Sequence, residues 1–212
     1  MTIAASARIY PWARIIHGED NFSVGDYSQI DDFAFINAGK MCRIGRFVHV
    51  ASFVSIIGGG EFFIDDFSGF SAGCRVITGT EDFTGPFLTN PTVPTEFRNV
   101  RTSHVNIGQS VIVGTNVVIL PGVTIGEGAG IGAGSIVRRD LAPWGLYSGD
   151  PPRKIGERDR EAILEKRVLL LERLRDLDPL EIRSAARDWR KDATANGHQE
   201  VWPGAGAWRV DR

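Results

Sequence analysis

The chain has 212 residues and a formal net charge of −2, from 24 basic and 26 acidic side chains. This balance gives no basic field, so we predict no nucleic-acid partner. No apolar run approaches the ~20 residues of a membrane span, and residues 1–16 lack the apolar core of a signal peptide. With two cysteines, Cys42 and Cys74, a disulfide framework is excluded. We therefore expect a cytoplasmic protein without membrane contact.

A six-residue repeat runs through the middle of the chain, in which glycine is enriched to 25 of 212 residues. The first part of the repeat shows three triplets of apolar residues, and the second shows six consecutive repeats. Most of these residues are followed, four positions later, by a small or aliphatic residue. The repeating positions are Val24, Ile30, Ile36, Ile44, Val50, Ile56, Ile64, Phe70, Val76, Ile107, Val113, Ile119, Ile125, Ile131 and Val137.

The period of six predicts the architecture. Side chains of a strand alternate between two faces, so six residues place two side chains inward and then turn a corner. Three such sides make one triangular coil of about 18 residues, and each coil packs only on its neighbours. The first three coils carry two extra residues, which must bulge at one corner. Glycines such as Gly25 and Gly108 follow the inward residue, where a corner needs positive φ or a bare backbone. The predicted fold class is an all-β solenoid with an α-helical appendage.

The second repeat region resembles the hexapeptide-repeat acyltransferases. The resemblance rests on VNIG at 105–108, ILPGVTIG at 119–126, IGAGSIV at 131–137 and SGDPPRKI at 148–155. The last segment looks like the galactoside, xenobiotic and lipopolysaccharide-sugar acetyltransferases, and the resemblance extends over about residues 15–156. It implies a left-handed parallel β-helix, a homotrimer, and acetyl-CoA as the cosubstrate.

The rest of the chain divides into a loop and an extension. Residues 78–103 interrupt the repeat with glycines and prolines, which predicts a long loop inside a solenoid domain of residues 1–156. Residues 157–212 form the predicted extension. Apolar residues at three- and four-residue steps predict a helix from Glu157 to Leu177. Asp178 then caps a second predicted helix that runs to about Ala193.

Acyl transfer needs a group that accepts a proton, and histidine is suited to that role near neutral pH. The chain has four histidines, of which His49 and His104 are the catalytic candidates. The segment IGRFVHVA at 44–51 resembles the sugar N-acetyltransferases that make bacillosamine and sialic-acid precursors, with Asn37 in a matching Ile-Asn-x-Gly. That resemblance aligns His49 with the family's second histidine. The family's first histidine has no counterpart here, since Lys40 and Met41 stand in its place.

Further substrate contacts are predicted at the start of the long loop. Galactoside-type relatives carry a histidine after a Thr-Gly, whereas here Glu81 and Asp82 follow Ile77-Thr78-Gly79-Thr80. Their carboxylates are candidates for binding a sugar hydroxyl or ammonium, or for orienting a histidine. An amine acceptor in its neutral form also attacks a thioester without a base, in which case the site mainly positions the reactants.

The resemblance also implies a place for coenzyme A along the last coils. The pantetheine arm is expected to contact the backbone near Ala133, Gly134 and Ser135. Backbone N–H groups near Gly69 or Gly114 are candidates for holding the thioester oxygen. Basic residues beyond the last coil are expected to meet the phosphates, since a guanidinium matches two phosphate oxygens. These candidates are Arg138, Arg139, Arg153 and Lys154.

We therefore predict an acetyl-CoA-dependent sugar acyltransferase, which acts on an amino or hydroxyl group of a nucleotide-linked or polysaccharide sugar for surface polysaccharide synthesis. One alternative is a non-catalytic β-helix in an assembly. Another is a zinc hydratase on the same scaffold, which needs three histidines, two of them close in sequence. Histidines 17, 49, 104 and 198 contain no close pair, so we expect no metal.

Overall fold

The structure is a computed structural model that describes residues 1–175. Six complete coils of three strands each are followed by part of a seventh coil and one helix. The elements are β1 (Thr2–Ile3), β2 (Arg8–Ile9), β3 (Arg14–Ile16); β4 (Phe22–Val24), β5 (Gln29–Ile30), β6 (Phe35–Asn37); β7 (Met41–Ile44), β8 (His49–Val50), β9 (Ser55–Ile57); β10 (Glu61–Ile64), β11 (Gly69–Phe70), β12 (Arg75–Ile77); the hairpin β13 (Gly79–Thr80) and β14 (Arg101–Thr102); β15 (His104–Ile107), β16 (Ile112–Val113), β17 (Val118–Ile119); β18 (Thr124–Ile125), β19 (Gly130–Ile131), β20 (Ile136–Val137); β21 (Gly145–Gly149), β22 (Pro152–Glu157); and α1 (Arg160–Arg175).

Equivalent strands of successive coils stack into three parallel sheets. Sheet A has the order β1-β4-β7-β10-β15-β18, and sheet C contains β3-β6-β9-β12-β17-β20. Sheet B has the order β2-β5-β8-β11-β16-β19-β21 and is extended by the antiparallel strand β22. We call the three edges of the prism the AB, BC and CA corners, after the sheets that they join. The predicted solenoid is thereby confirmed.

The core is a stack of the predicted inward residues. On sheet A, for example, Ile44 is in register with Ile64, Ile64 with Ile107, and Ile107 with Ile125. These four side chains are at most 3% exposed. Cys42, which lies two positions before Ile44 on β7, is buried as well. The solenoid begins one coil earlier than the repeat that we identified. Its first coil continues the same six-residue period, with inward positions at Ile3, Ile9 and Ile15.

At the AB corner, glycine is required for a bare backbone, the second of the two predicted reasons, and not for positive φ. Gly25 has ordinary φ, and a Cβ there would lie 2.7 Å from the backbone of Gly45 in the next coil, so close coil contact explains the glycine. Positive φ occurs two residues later, at Tyr27, Phe47 and Phe67. This conformation costs a non-glycine residue roughly 1–2 kcal/mol. The three rings stack, with centroids 4.7 Å and 5.0 Å apart, which offsets part of that cost.

The long loop leaves the solenoid at the CA corner, where coils two and three also carry their extra residues. Strand β13 pairs antiparallel with β14, so the loop stands on a short hairpin rather than being irregular throughout. A single 3₁₀ turn, Thr95–Phe97, lies inside it. The predicted bulge of the first coils and the long loop therefore occupy one edge of the prism.

The predicted first helix begins three residues later than expected. Glu157 still pairs with Gly145 in the β21–β22 ladder, so helix α1 begins at Arg160. Asp159 precedes it and accepts a hydrogen bond from the N–H of Ala162 at 3.0 Å, as an N-cap does. A compact unit comprises Met1–Leu169. Leu177, the second predicted helix and the tail lie outside the described residues.

Candidate active site

Four candidate residues lie along the CA corner of successive coils. Asn37 ends β6, and its Oδ1 accepts a hydrogen bond from the N–H of Gly39 at 3.1 Å. Glu81 and Asp82 follow strand β13, and His104 opens β15 just beyond the hairpin. The loop returns to the corner through backbone contact, because Ser103 N–H donates to the Thr78 carbonyl at 2.7 Å. The fold thus gathers Asn37, both loop carboxylates and His104 on one edge.

Glu81 is held by a half-buried ion pair inside the loop. One of its carboxylate oxygens accepts a hydrogen bond from Nη2 of Arg98, and the two side chains are 24% and 15% exposed. The other oxygen, Oε2, is buried and has no hydrogen-bond partner among the described residues. Nε of Arg98, in the same ion pair, is also buried without a partner among the described residues, so a small rotation that pairs the two atoms would satisfy both.

Asp82 is fixed by backbone groups of the loop. Its Oδ1 accepts hydrogen bonds from the N–H of Gly85 at 2.9 Å and of Thr84 at 3.3 Å. The hydrogen bond from Gly85 lowers the pKa of the Asp82 carboxyl below its ordinary value. The carboxyl is therefore ionised at neutral pH, which suits the binding of an ammonium more than the removal of a proton.

His49 lies on a different surface, the outer face of sheet B. Its side chain is 52% exposed, and its Nε2 lies 2.9 Å from Oδ2 of Asp31, which is 23% exposed. The other oxygen of Asp31 accepts a hydrogen bond from Nε2 of Gln29 at 2.6 Å. His49 is in register with Gln29 on the neighbouring strand, and Asp31 follows that strand. Asp31 thus holds the imidazole in one orientation.

The structure does not bring His49 and His104 together within one protomer, because they belong to sheets B and A. Sequence analysis also missed Asp31 as a functional candidate. A signal for it was present in the repeat, since a residue 20 positions before His49 is its neighbour in the preceding coil. Asp31 stands two positions after that neighbour, Gln29.

The predicted pantetheine contacts lie at the BC corner of coils five and six. Ala133 and Gly134 are exposed, and a Cβ on Gly134 would have no atom within 4 Å. Gly114 lies directly below, where a Cβ would come within 2.6 Å of the backbone nitrogen of Ala133. Ser135 is buried, and its hydroxyl donates to the Gly132 carbonyl at 2.7 Å. Its backbone carbonyl accepts from the N–H of Val118 at 2.9 Å, so the exposed backbone at this corner is that of Ala133 and Gly134.

The basic candidates differ in how much of their charge is neutralised. Arg138 donates two hydrogen bonds to Asp150, at 3.2 Å and 2.9 Å. Lys154 donates to Glu157 at 2.6 Å, a contact that raises the pKa of the lysine. Arg153 is exposed on β22 and has no ion pair among residues 1–175. Arg139 is exposed as well and has no ion pair among residues 1–175, so Arg139 and Arg153 present the least neutralised charge of the four candidates.

Other features of the described residues bear on the alternatives. A groove of about 440 Å³ lies on sheet A near the AB corner, and Phe63, Asp65, Asn106 and Glu127 are among its lining residues. None of the candidate site residues lines it. Within residues 1–175, no group of three or more histidine, cysteine or acidic residues is arranged to hold a metal. No helix there has the length and apolarity needed to cross a membrane.

Comparison with known sequences gives two matches. Residues 104–139 match the model of the bacterial transferase hexapeptide, which comprises six repeats. The chain is 36% identical over 148 residues to the dTDP-4-amino-4,6-dideoxy-D-glucose acyltransferase of Escherichia coli. That alignment covers 69% of this chain and 77% of the relative.

Solved structures with the same fold include AntD, an N-acyltransferase from Bacillus cereus. A variant of AntD with bound dTDP and coenzyme A has a TM-score of 0.72 and 31% identity, over 81% of this chain and 91% of AntD. Another variant holds dTDP-4-amino-4,6-dideoxyglucose and coenzyme A, with a TM-score of 0.70 and 32% identity over 81% and 90% of the two chains. These similarities confirm the prediction of a left-handed parallel β-helix.

Proposed function

This chain belongs to the hexapeptide-repeat acyltransferases, and on that premise we propose that it transfers an acyl group from a coenzyme A thioester to the amino group of a nucleotide-linked sugar. The observation that carries the proposal is the 36% identity to a dTDP-amino-sugar acyltransferase over 77% of that enzyme. The AntD structures support it, because they hold coenzyme A together with a dTDP-linked amino sugar.

In the proposed reaction the neutral amine attacks the thioester carbonyl carbon. A nitrogen–carbon bond forms, the carbon–sulfur bond breaks, and the nitrogen gives up one proton while the thiolate of coenzyme A gains one. We assign the proton to His49, whose imidazolium form the nearby Asp31 carboxylate stabilises. The exposed backbone at Ala133 and Gly134 accommodates the pantetheine arm, and Arg153 contacts the phosphates.

The acceptor is proposed to bind at the CA corner. Asp82 is anionic at neutral pH, so its carboxylate suits the amino group or the hydroxyls of a sugar, and Glu81, which is paired with Arg98, is the adjoining candidate. Asn37 and His104 lie on the same edge. His104 is the second candidate for the base, since it stands nearest to the loop in sequence.

A homotrimer would bring the His49 surface of one protomer next to the acceptor candidates of another. His49 lies on sheet B and the acceptor candidates lie at the CA corner of the same protomer, so one site that uses both needs two copies of the chain. We propose that sheet B of one protomer faces the CA corner of its neighbour. The proposed setting is the cytoplasm, and the product serves surface polysaccharide synthesis.

The test is a thiol-release assay with acetyl-CoA and dTDP-4-amino-4,6-dideoxyglucose. Release with this sugar, and none with the analogue that carries a hydroxyl in place of the amine, is expected. In the same assay His49→Ala should reduce kcat at least tenfold without changing the oligomeric mass, whereas His104→Ala should retain most activity. Release with the hydroxyl analogue alone contradicts N-acylation. Absence of both release and CoA binding supports a non-catalytic assembly protein.

A further inference from the structure

We infer that His49, Gly69 and Ile112 form a slot on the outer face of sheet B that receives the amino-bearing edge of a deoxy sugar. This inference rests on the proposed function and assigns the groups that position the acceptor. Gln29, His49, Gly69 and Ile112 occupy the same outward row on four neighbouring strands. Of these four residues Gly69 alone has no side chain; the row continues to Gly130, where Leu146 and Arg158 already fill the space.

The missing side chain leaves a gap next to the imidazole. Neighbouring strands lie about 4.8 Å apart, so the backbones of His49 and Ile112 are separated by roughly twice that distance. Gly69 forms the floor, and its φ is not positive, so its backbone conformation does not require glycine. A glycine inside a strand often marks a close approach by a ligand, because it contributes nothing to packing.

The two walls of the slot differ in chemistry. On one side, the imidazole is fixed by Asp31 through Nε2, which leaves Nδ1 for a ligand. On the other side, Ile112 presents an apolar side chain that is 52% exposed. A 4-amino-4,6-dideoxy sugar carries its amine next to a methyl group. The amine fits the imidazole wall, and the methyl group fits the isoleucine wall.

Asp31 is the positioning residue of this slot. Its carboxylate is anchored by Gln29 at 2.6 Å and bonds the ring at 2.9 Å, so Nε2 carries the hydrogen and Nδ1 has its lone pair free. That tautomer allows Nδ1 to accept the proton that the amine releases. Arg8 and Tyr10, at the far end of the row beyond Gln29, bond to each other at 3.2 Å. Beyond Ile112, the guanidinium of Arg158 donates to the backbone carbonyls of Ser110 and Gly128 at 2.5 Å and 2.9 Å.

Gly69 variants test the slot directly. A Cβ at Gly69 meets only ordinary contacts, 3.4 Å to the carbonyl oxygen and 3.6 Å to Cβ of His49, so the fold should tolerate a side chain there. We expect Gly69→Val to raise KM for dTDP-4-amino-4,6-dideoxyglucose at least tenfold while the affinity for CoA and the melting temperature stay unchanged. Ser23→Val is the matched control, since it adds the same side chain to an outward strand position on sheet A.

The apolar wall is tested by acceptor preference. The wild type should prefer the 6-deoxy sugar over its 6-hydroxy counterpart about tenfold in kcat/KM, because the added hydroxyl would lie unpaired against an apolar wall. Ile112→Ser should reduce this preference to less than threefold. An unchanged preference, or wild-type KM in Gly69→Val, overturns the slot even when the wild-type enzyme confirms the proposed function.

The role of Asp31 is tested without turnover. Imidazole ¹⁵N shifts, assigned with His49→Gln, should show Nε2 protonated in the wild type and a mixture of tautomers in Asp31→Ala. In the assay Asp31→Ala should lower kcat about tenfold and leave KM for both substrates within twofold. An unaltered tautomer in Asp31→Ala overturns the positioning role. If the wild type has no activity, the proposed function and the slot are both rejected, and the ¹⁵N result still decides the His49–Asp31 contact.

Discussion

The guanidinium of Arg167 lies over the ring of Phe67, 5.3 Å from its centre. The same group donates to Glu127 at 2.6 Å and to Gln109, so one side chain ties helix α1 to the end of the aromatic stack. Because the side chain is only 19% exposed, its contacts are shielded from water.

Arg167→Ala should therefore lower the free energy of unfolding by about 2 kcal/mol, from a cation–π contact and charged hydrogen bonds together. Urea unfolding followed by circular dichroism measures this change. Lys166→Ala, at an exposed neighbouring position, is the control and should change stability by less than about 0.5 kcal/mol. Equal effects of the two variants would contradict a stabilising contact between Arg167 and the aromatic stack.

Replacing a glycine can destabilise the fold through backbone strain or through a clash with the next coil. Two glycines distinguish these effects at the CA corner. Gly39 and Gly134 have similar φ, 57° and 71°. A Cβ at Gly39 would come within 2.4 Å of the Gly60 carbonyl oxygen, whereas at Gly134 it would meet nothing. We expect Gly134→Ala to cost roughly 1 kcal/mol, the strain alone, and Gly39→Ala to cost several times more. Similar melting temperatures for the two variants would contradict coil contact as the cause.

Cys42 should make stability fall at alkaline pH. Burial raises the pKa of its thiol from 9.0 to about 12, so the unfolded chain ionises first. The contribution is complete below pH 9 and is lost progressively as pH rises toward 12. Between pH 8 and pH 10, ionisation of this thiol in the unfolded chain should lower the free energy of unfolding by about 1 kcal/mol. Urea unfolding at both pH values measures the loss, and a smaller loss in Cys42→Ala is expected. The same loss of stability in Cys42→Ala would show that the thiol is not its cause.

Arg138 and Arg153 should differ in their effect on coenzyme A binding. Arg153→Ala should raise KM for acetyl-CoA about fivefold, because this guanidinium has no carboxylate partner among the described residues. Arg138→Ala should raise it less than twofold, since Asp150 already occupies Arg138. Steady-state kinetics at low salt give both values, with KM for the sugar as the internal reference. The reverse order would assign the phosphates to Arg138.

The solenoid was predictable because its energetics are periodic. Each inward position, such as Ile64 or Ile107, makes the same kind of contact with the coil before and after it, so one rule applies to most of the chain. The first coil follows the same rule, and its signal, a step of six from Ile3 to Ile9 and Ile15, was present in the sequence although the prediction began at Val24. The positive φ of Phe47 and Phe67 was also not predicted, since propensity assigns that conformation to glycine, while cross-coil stacking favours aromatic rings there.

The candidate site was less predictable than the scaffold. His49 was singled out by resemblance, but its partner Asp31 depends on which residues become neighbours across two coils. The register of 20 residues contained that information, although nothing in the local sequence marked Asp31 as different from other corner acids. The ion pair between Glu81 and Arg98 depends on how the loop closes, which no repeat rule describes.

At the CA corner, the number of residues between successive coils varies while the register of the coils stays the same. In the sheet A row, successive members Ile44, Ile64, Ile107 and Ile125 are 20, 43 and 18 residues apart, yet all remain in register. Insertions of very different size at this edge therefore leave the stack of coils undisturbed. The loop that carries Glu81 and Asp82 can therefore change in length and sequence without destabilising the coils on either side of it.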